Sequence, residues 1–320
     1  MHRPWRLTCI PCNERISMTM LDPAGPAAHT MAGVAWSLFI GSTLIFTGVM
    51  ALLVVALRQR RGSVNTRWWI VGGGLVFPIV VLSTLLAYTT LHSTQLARAP
   101  PTHAMVISVV AKMWWWEVQY RTPDSRYVVL ANEVHIPVGQ PVVVGLSSTD
   151  VIHSFWVPQL GGKMDMVPGR TNQLVLQATV PGVYRGQCAE YCGEQHARMA
   201  LHVVAHEPAD FNLWLVAQAQ PAHTPASPLA ERGRQAFVTQ RCTACHTVRG
   251  VSEEGRLGPD LTHVGSRLYL GAGTLRNDAA AMYRWIAHVQ AVKPGTRMPS
   301  YDARDAASLE AITAWLDGLK

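Results

Sequence analysis

The fourteen residues GQCAEYCGEQHARM, 186–199, place four candidate metal ligands in one short segment. Cys188 and Cys192 lie four positions apart, His196 follows four positions later, and Met199 three positions after that. Thiolate and thioether sulfurs are soft donors that favour copper, whereas an imidazole suits copper or zinc. A blue-copper site has a single cysteine, followed by histidine and methionine, on such a loop. The second cysteine therefore indicates a centre that can hold more than one ion.

Two thiolates can bridge two copper ions if each ion also has a histidine of its own. The second histidine has to come from another part of the chain, and His153 in STDVIHSFWVP is the best candidate because it starts a predicted strand after a turn. Met199 and the backbone carbonyl of Glu190 would add weak outer ligands. Two ions that share one electron change geometry little on reduction, which suits electron transfer rather than bond chemistry.

Two other interpretations of these residues stay open. Two cysteines and two histidines also form the donor set of a tetrahedral zinc site, although zinc rarely uses a methionine. A disulfide between Cys188 and Cys192 could form in an oxidising compartment. His135, His202 and His206 have no comparable neighbours, and we expect them to be structural.

The residues around this loop predict a β-sandwich or barrel. From Met105 to about His206 the chain contains short runs rich in Val, Trp and Tyr, such as MVISVVAKMWWWEVQY and YVVLANEVHIPV. Turn segments such as TPDS, PVGQP and VPGR separate these runs, which is typical of all-β domains. A helical segment, ADFNLWLVAQAQ, and a linker, PAHTPASP at 221–228, follow. The remainder, to Lys320, has the apolar spacing of helices.

Two apolar runs precede the β domain. Gly33–Leu57 and Trp68–Leu91 contain no charged residue, and each exceeds the roughly 20 residues that a helix needs to cross a bilayer. RQRRGSVNTR, 58–67, carries four arginines and no acid. Because basic loops stay on the cytoplasmic side, everything after Leu91 should lie outside. This loop supplies four of the seven net positive charges, so the high pI reflects membrane topology rather than a face for nucleic acid.

The first residues of the chain are the least informative. They include Cys9 and Cys12 but no apolar stretch long enough for a signal peptide, and we expect a poorly ordered tail, or a start at Met18 or Met20. The chain then divides into an N-terminal tail (1–32), a transmembrane helix hairpin (33–91), a β domain (101–208), a linker (209–228) and an α domain (229–320).

A second motif, CTACH, lies in the predicted α domain. In this motif the thiols of Cys242 and Cys245 would add to the vinyl groups of a haem, and His246 would bind its iron. Met298, in the proline-flanked KPGTRMPSY, is the candidate for the other axial ligand. Met282 is the alternative, but it lies in the helical stretch AAMYRWIAHV, where a methionine is more often part of a core. A histidine–methionine pair leaves no open site for oxygen, so this domain should also carry electrons.

The stretch SSTDVIHSFWVPQLGGKMDMVPGRTNQLVLQATVPGVYRGQCAEYCGEQHARM, 147–199, resembles the dinuclear copper (CuA) domain of cytochrome c oxidase subunit II. The two-span hairpin and LDPAGP, 21–26, are similar to the same family. The α domain resembles cytochrome c, since GPDL, 258–261, is similar to the segment that packs against the proximal histidine. AERGRQAFVTQRC and the last helix are similar to its terminal helix pair.

This resemblance implies the fold class and the copper ligands. The fold would be a multidomain membrane protein with an N-terminal two-helix transmembrane hairpin, a cupredoxin-like β-sandwich and a C-terminal all-α cytochrome c domain. The copper ligands would be the groups already selected, namely His153, Cys188, Glu190 (backbone carbonyl), Cys192, His196 and Met199.

The resemblance also implies a function, that of a subunit II with a fused cytochrome c. Such a chain passes electrons from haem c to CuA and on to the oxygen-reducing subunit I of a terminal oxidase, coupled to proton translocation. Subunits I and III would be partners, and a soluble cytochrome c or a quinol-oxidising complex the donor. The membrane would be a bacterial inner membrane, with both metal domains on the periplasmic face. The Glu190 side chain would reach a magnesium ion at the boundary with subunit I.

Trp114 in MWWWEVQY matches the residue through which electrons reach the copper pair in that family. Strand alternation puts Trp114 and Trp116 on one face and Trp115 on the other, so at least one ring should reach the surface. The alternative is core packing combined with an interface.

Two other functions fit the same motifs. A nitric oxide reductase can use a similar copper subunit, and a membrane-tethered copper-binding or copper-delivery protein would need no redox partner. Relatives in the oxidase family often carry an acidic residue near the start of the second span, whereas Arg67–Leu91 has none. A proton-uptake role for this span therefore lacks its usual residue.

Overall fold

The structure is a computed structural model, and it describes residues 19–58, 65–96, 102–122, 127–301 and 305–320. Two long helices come first. α1 spans Pro26–Arg58, and the second helix begins as a π-helical segment, Trp68–Val76, and continues as α2, Phe77–Leu96. Their mean hydropathies, 2.4 and 2.3, suit membrane spans, and their most apolar stretches are not buried in the protein. The predicted pair of apolar helices is confirmed.

The first span begins earlier than the sequence predicts. α1 starts at Pro26 rather than at Gly33, because proline suits the first turn of a helix. The preceding LDPAGP segment is fixed to the β domain, since the Ala24 amide donates to the Gln159 carbonyl at 2.7 Å and the Ala24 carbonyl accepts from the Thr179 amide at 2.8 Å. Part of the predicted tail is therefore ordered. Outside the described residues lie Cys9, Cys12, Met18 and the loop 59–64.

The β domain is a sandwich of two five-stranded sheets in the described part of the chain. Its strands are β1 Met105–Lys112, β2 Trp115–Arg121, β3 Tyr127–Ala131, β4 Glu133–Pro137, β5 Val142–Ser148, β6 His153–Trp156, β7 Met164–Met166, β8 Asn172–Leu176, β9 Gly182–Cys188 and β10 Ala200–His206. The order is β3-β2-β1-β5-β8 in one sheet and β4-β10-β9-β6-β7 in the other. Alternate side chains of each sheet, such as those of Ile107 and Val109, are buried between the layers, which confirms the predicted sandwich.

Two of the predicted strand runs are interrupted. MVISVVAKMWWWEVQY turns at Met113–Trp114, so that β1 and β2 form an antiparallel hairpin. YVVLANEVHIPV breaks at Asn132, whose φ of 64° is a left-handed conformation that asparagine tolerates. The Asn132 Oδ1 accepts from the Trp116 amide at 3.0 Å, and the chain passes from one sheet to the other at this point. Apolar composition alone could not show these breaks.

α3, Pro208–Gln218, follows β10 and packs on the sandwich. Phe211 is buried in the core, and the Trp214 ring stacks on His135 with centroids 4.0 Å apart. The predicted helical segment ADFNLWLVAQAQ is therefore present as α3, and within 209–228 only 219–227 lacks helix and strand.

The α domain contains α4 Pro228–Thr239, α5 Ala279–Ala287, α6 Val289–Val292, α7 Ala306–Asp317 and a small hairpin of β11 Tyr269–Leu270 and β12 Leu275–Arg276. α4 and α7 cross at Gly233, where a Cβ would lie 1.9 Å from the Ala311 carbonyl oxygen. Phe237 and Trp315 meet edge to face beside this crossing, with centroids 5.1 Å apart. The predicted pairing of the terminal helices is present.

The α domain lies directly against the β-sandwich. The Ala200 amide donates to the Ala272 carbonyl at 3.0 Å, and the His202 ring stacks on Tyr269 with centroids 4.4 Å apart. Both β-domain residues belong to the start of β10, directly after the GQCAEYCGEQHARM loop. The hairpin β11–β12 thus meets the β domain beside its candidate metal site.

Candidate metal centres

Two strands and one loop bring three candidate ligands together. His153 is the first residue of β6 and Cys188 the last residue of β9, and these strands pair through Phe155 and Cys188. The ligand atoms of His153, Cys188 and Cys192 all lie within 4.8 Å of one another, and all three residues are buried. The two Sγ atoms are 3.7 Å apart, and the His153 Nδ1 lies 3.8 Å from the Cys188 Sγ.

The other three predicted ligands surround the same two sulfurs. The His196 Nδ1 is 3.6 Å from the Cys192 Sγ, and the Met199 Sδ is 3.8 Å from it. The Glu190 carbonyl oxygen lies 3.1 Å from the Cys188 Sγ. Each sulfur thus has one imidazole and one weak donor beside it.

The orientation of His153 is set by a carboxylate. Its Nε2 lies 2.8 Å from the Asp150 Oδ1, so Nε2 carries the proton and Nδ1 presents its lone pair to the cysteines. A ligating histidine commonly has such a partner on its second nitrogen. Sequence reasoning missed Asp150, although it stands three positions before His153.

The two thiols are strongly coupled. Hydrogen bonding with Cys192 lowers the pKa of Cys188, and the same contact raises the pKa of Cys192. Both cysteines are free, and their separation is far larger than the about 2.05 Å of a disulfide bond. Soft sulfurs, two imidazoles and two weak donors fit copper better than the four-ligand zinc site.

Trp114 lies beside this centre and is only 9% exposed. Its Nε1–H donates to the Cys192 carbonyl oxygen at 2.7 Å, and a Cβ at Gly193 would lie 3.2 Å from its Cζ2. Trp114 stands in the turn between β1 and β2 rather than on a strand, but the burial of the three tryptophans agrees with the predicted alternation. Trp116 is buried in the core, while Trp115 is half-buried.

The CTACH residues form a turn at the end of α4. Cys242 begins a short 3-10 helix and Cys245 caps it, with both thiols free. The His246 Nδ1 is 2.8 Å from the Pro259 carbonyl oxygen, which leaves its Nε2 available to a metal. A Cβ at Gly258 would lie 2.5 Å from the imidazole, so the glycine of GPDL lets this segment pack on the histidine.

The two methionines that could face a haem lie in different surroundings. Met282, on α5, is 2% exposed and belongs to the core of the α domain. Met298 lies on the loop that follows α6, half-buried at the edge of that core. From this loop, the Met298 sulfur can reach a haem, whereas the Met282 sulfur is enclosed by the apolar side chains of the core.

The Glu190 side chain points away from the copper loop. Its carboxylate lies 3.2 Å from the Lys163 Nζ, and Lys163 also reaches Asp165 at 3.2 Å. All three side chains are largely exposed.

Comparisons with known proteins agree with this arrangement. The family model for Cytochrome C oxidase subunit II, periplasmic domain, matches residues 117–206, and the model for Cytochrome c matches residues 230–320. Cytochrome c oxidase subunit 2 of Alkalihalophilus pseudofirmus is 33% identical over 97% of this chain and 93% of its own length. The chain belongs to the cytochrome c oxidase subunit II family.

Two further relatives of this subunit II differ in how much of the chain they match. Cytochrome c oxidase subunit 2 of Bacillus subtilis is 29% identical and covers 95% of the chain and 92% of its own length. The crystal structure of the periplasmic domain of subunit II of cytochrome oxidase of Bradyrhizobium japonicum is 29% identical, with a TM-score of 0.35. It covers 38% of the chain and 96% of that protein.

Membership in the subunit II family gives the chain an electron-transfer role in an oxidase complex, associated with the other oxidase subunits. It implies copper in the β-sandwich and haem in the α domain. Together with the two apolar helices, it makes the chain a membrane-anchored subunit with an extracellular domain.

Proposed function

We propose that this subunit II passes electrons from a covalently bound haem c to a dinuclear CuA centre and on to the oxygen-reducing subunit I. The observation that carries the proposal is the convergence of four donor groups, two imidazoles and two weak donors, on two sulfurs 3.7 Å apart. A single copper would leave one imidazole and one weak donor without a partner. The bound metals supply one-electron redox chemistry, and the protein supplies ligands and orientation.

The copper ligands would be the side chains and the one carbonyl described above. Asp150 holds His153 with Nδ1 towards the sulfurs, while the short loop from Cys188 to Met199 fixes the other donors. These groups are mostly buried, so little solvent has to reorganise around them. A rigid, dry ligand set suits fast electron transfer.

The haem would be bound through Cys242 and Cys245, with His246 and Met298 as axial ligands. The Pro259 carbonyl oxygen sets the orientation of the His246 ring. Thioether links and two axial ligands retain the haem, which suits a carrier of electrons and leaves no open position for oxygen.

Trp114 is the proposed link between the two centres. Its indole donates to the backbone of the copper ligand Cys192. The loop that leads to Met298 also approaches this ring, since a Cβ at Gly295 would lie 3.6 Å from the Trp114 Cη2. The ring therefore lies between the copper loop and the segment that would carry the haem ligand.

The surroundings of the chain are proposed from the family. The membrane would be a bacterial inner membrane, with both metal domains outside and subunits I and III beside the two spans. The exposed carboxylate of Glu190, now paired with Lys163, would reach a magnesium ion at the boundary with subunit I. Proton translocation would be a property of the whole complex, and a soluble cytochrome c or a quinol-oxidising complex would be the donor.

Replacing Trp114 tests the route between the centres. In the purified complex, Trp114→Ala should slow flash-induced electron transfer from haem c to copper by about tenfold or more, because the ring that contacts both the copper loop and the Met298 segment is removed. The spectra of both metals should stay unchanged. Trp115→Ala is the matched control, since this neighbouring ring packs on Lys112 instead. An unchanged rate in Trp114→Ala would show that electrons reach copper elsewhere.

A further inference from the structure

Lys293, the residue after α6, is buried at the junction of the two metal domains, with 2% exposure. Its Nζ donates to the carbonyl oxygens of Trp114 at 2.8 Å, Arg198 at 2.8 Å and Gly271 at 2.9 Å. An ammonium has three N–H donors, and here each has an acceptor. No carboxylate accepts from it among the described residues.

The three acceptors belong to different domains. Trp114 and Arg198 are part of the β-sandwich, at the β1–β2 turn and directly before the predicted copper ligand Met199. Gly271 lies in the α domain, in the turn of the β11–β12 hairpin. A lysine that served only the core of its own domain would bind carbonyls of that domain. Lys293 instead donates two of its three hydrogen bonds to carbonyls of the neighbouring β-sandwich.

A second contact runs in the opposite direction. The Arg198 Nη1 donates to the Val292 carbonyl oxygen at 2.6 Å, while Lys293 donates to the Arg198 carbonyl oxygen. The copper loop and the end of α6 therefore exchange charged donors reciprocally. Hydrogen bonds from charged groups are roughly twice as strong as neutral ones.

The segment anchored in this way is the one that leads to Met298. Two positions after Lys293, Gly295 has a φ of 76°, and a Cβ there would lie 2.7 Å from the Glu194 Oε2. The left-handed φ favours glycine here, and the segment lies against the copper loop. The chain from Lys293 to Met298 is thus fixed at Trp114 at one end and carries the proposed iron ligand at the other.

Two effects act on the charge of Lys293: the three carbonyl acceptors suit its ammonium form, whereas burial disfavours that form. Burial lowers the pKa of this residue to about 7, and the charge of the Cys192 thiol acts in the opposite direction. A neutral amine has only two N–H groups, so Lys293 would lose one of its three hydrogen bonds; the Gly271 carbonyl would still accept from the Thr274 Oγ1 at 2.7 Å, whereas loss at Trp114 or Arg198 would remove the donor described for that carbonyl. Unsatisfied buried carbonyls are costly.

We propose that Lys293 is a positioning residue that locks the haem domain onto the copper loop in the orientation in which the Met298 segment covers Trp114. The inference rests on the proposed route from haem to copper, and it adds the residue that fixes the two domains in the orientation this route needs. In its ammonium form Lys293 also places a positive charge near the copper ligands, which favours the reduced centre and raises the reduction potential of CuA.

The test compares Lys293→Met, Lys293→Arg and Lys320→Met in the purified oxidase. Lys320→Met is the matched control, because its exposed side chain belongs to the same domain. Hydrogen exchange is measured at the Ala200 and Leu268 amides, which bond across the interface to the Ala272 carbonyl at 3.0 Å and to the Glu133 Oε1 at 2.6 Å. In Lys293→Met, exchange at both should rise by about tenfold or more, since three charged hydrogen bonds are lost and the Trp114 and Arg198 carbonyls lose the donor described for them, while the Gly271 carbonyl still accepts from the Thr274 Oγ1 at 2.7 Å.

The reduction potential of CuA provides a second measurement. It reports the loss of the Lys293 charge, which a general loosening of the fold would not reproduce. Redox titration of Lys293→Met should give a lower potential than the wild type. Lys293→Arg keeps the charge, so it should stay closer to the wild-type potential. Lys320→Met should match the wild type in both measurements.

The outcomes separate this inference from the proposed electron route. Wild-type exchange and potential in Lys293→Met would overturn the role of Lys293, whatever the electron-transfer rate. Faster exchange and a lower potential, with an unchanged haem-to-copper rate, would retain the role of Lys293 and count against Trp114 as the route. If Lys293→Met fails to incorporate haem, amide exchange and the CuA potential are measured in Lys293→Gln instead. This variant keeps two N–H donors and removes the charge.

Discussion

The two cysteines of the copper loop have different neighbours, although both are buried. Cys188 ends β9 and faces His153, whose ring is oriented by Asp150. Cys192 stands in the loop itself, with His196 beside it and its carbonyl held by the Trp114 indole. One cysteine is therefore fixed by the sheet and the other by the loop and the interface.

Removing one bridging sulfur tests whether the centre is dinuclear. The full-length chain should bind two copper ions, with an unpaired electron shared over both nuclei in the mixed-valence state. Cys192→Ser should abolish this sharing, because one bridging thiolate is replaced by a hydroxyl that binds copper poorly. Metal analysis and electron paramagnetic resonance measure both properties.

Cys245→Ser is the matched control, since it removes a thiol from the other metal site and should leave the copper signal intact. A wild-type chain that bound one zinc ion, or showed the spectrum of a single copper, would contradict the dinuclear assignment.

The position of each functional group within its helix, strand or loop decides what it can do. α5 buries Met282 in the core of the α domain, where its sulfur packs among apolar side chains. The loop after α6 leaves Met298 at the edge of that core. The same distinction applies to Trp114, which a turn presents to the interface, and to Trp116, which a strand buries.

Substitution of each methionine tests which of the two, Met298 on the loop or Met282 on the helix, is the axial ligand of the haem. Met298→Ala should keep the covalent haem but open its sixth position, because the thioether ligand is lost. The reduced spectrum should change and the haem potential should fall. Met282→Ala should instead destabilise the α domain by about 2 kcal/mol or more, the usual cost of a cavity in a core, with the spectrum preserved.

Absorption spectra and redox titrations of the purified oxidase check both variants. An unaltered spectrum and potential in Met298→Ala, together with altered ones in Met282→Ala, would reverse the ligand assignment. Cys242→Ala with Cys245→Ala provides the reference state without covalent haem.

At the scale of the whole molecule, the interface between the domains is polar and mostly buried. The Glu133 carboxylate accepts from the Leu268 amide at 2.6 Å, and His202 stacks on Tyr269. His202 is 1% exposed, and its Nε2 has no hydrogen-bond partner. A proton on this Nε2 would be a buried donor without an acceptor.

Acid should therefore weaken the assembly of the two domains. Burial lowers the pKa of His202 to about 4 from the ordinary 6.5. Its neutral form is favoured in the folded state, so its contribution is complete above pH 6.5 and is lost as the pH falls towards 4. The expected loss is about 3 kcal/mol for a shift of this size. Denaturation midpoints of the purified oxidase between pH 7 and pH 4 measure it.

His206, whose pKa burial also lowers to about 4, makes a second contribution in the same range. His202→Phe keeps the stacking on Tyr269 and removes one titrating group, so it should retain only part of the pH dependence. A wild-type pH dependence in His202→Phe would show that His202 does not titrate as its burial indicates.

Several features of this subunit II follow from the sequence because they are local. Cys188, Cys192, His196 and Met199 lie within twelve positions, so their residue types and spacing indicate a soft-metal loop before any fold is known. The CTACH motif and the two uncharged apolar runs are equally local, since a haem attachment or a membrane span needs only neighbouring residues. Identification of the family extends these patterns to the sandwich and the cytochrome c domain.

Other features were decided only by the tertiary structure, because they depend on contacts between residues far apart in the chain. The turn at Trp114 comes from the pairing of β1 with β2 in one sheet, and the break at Asn132 from the passage of the chain to the other sheet; strand propensity encodes neither. Nothing in KPGTRMPSY distinguishes Lys293 from an ordinary surface lysine. Its burial between Trp114 and Arg198 arises only when the α domain lies on the copper loop, since no single segment of sequence contains both sides of an interface.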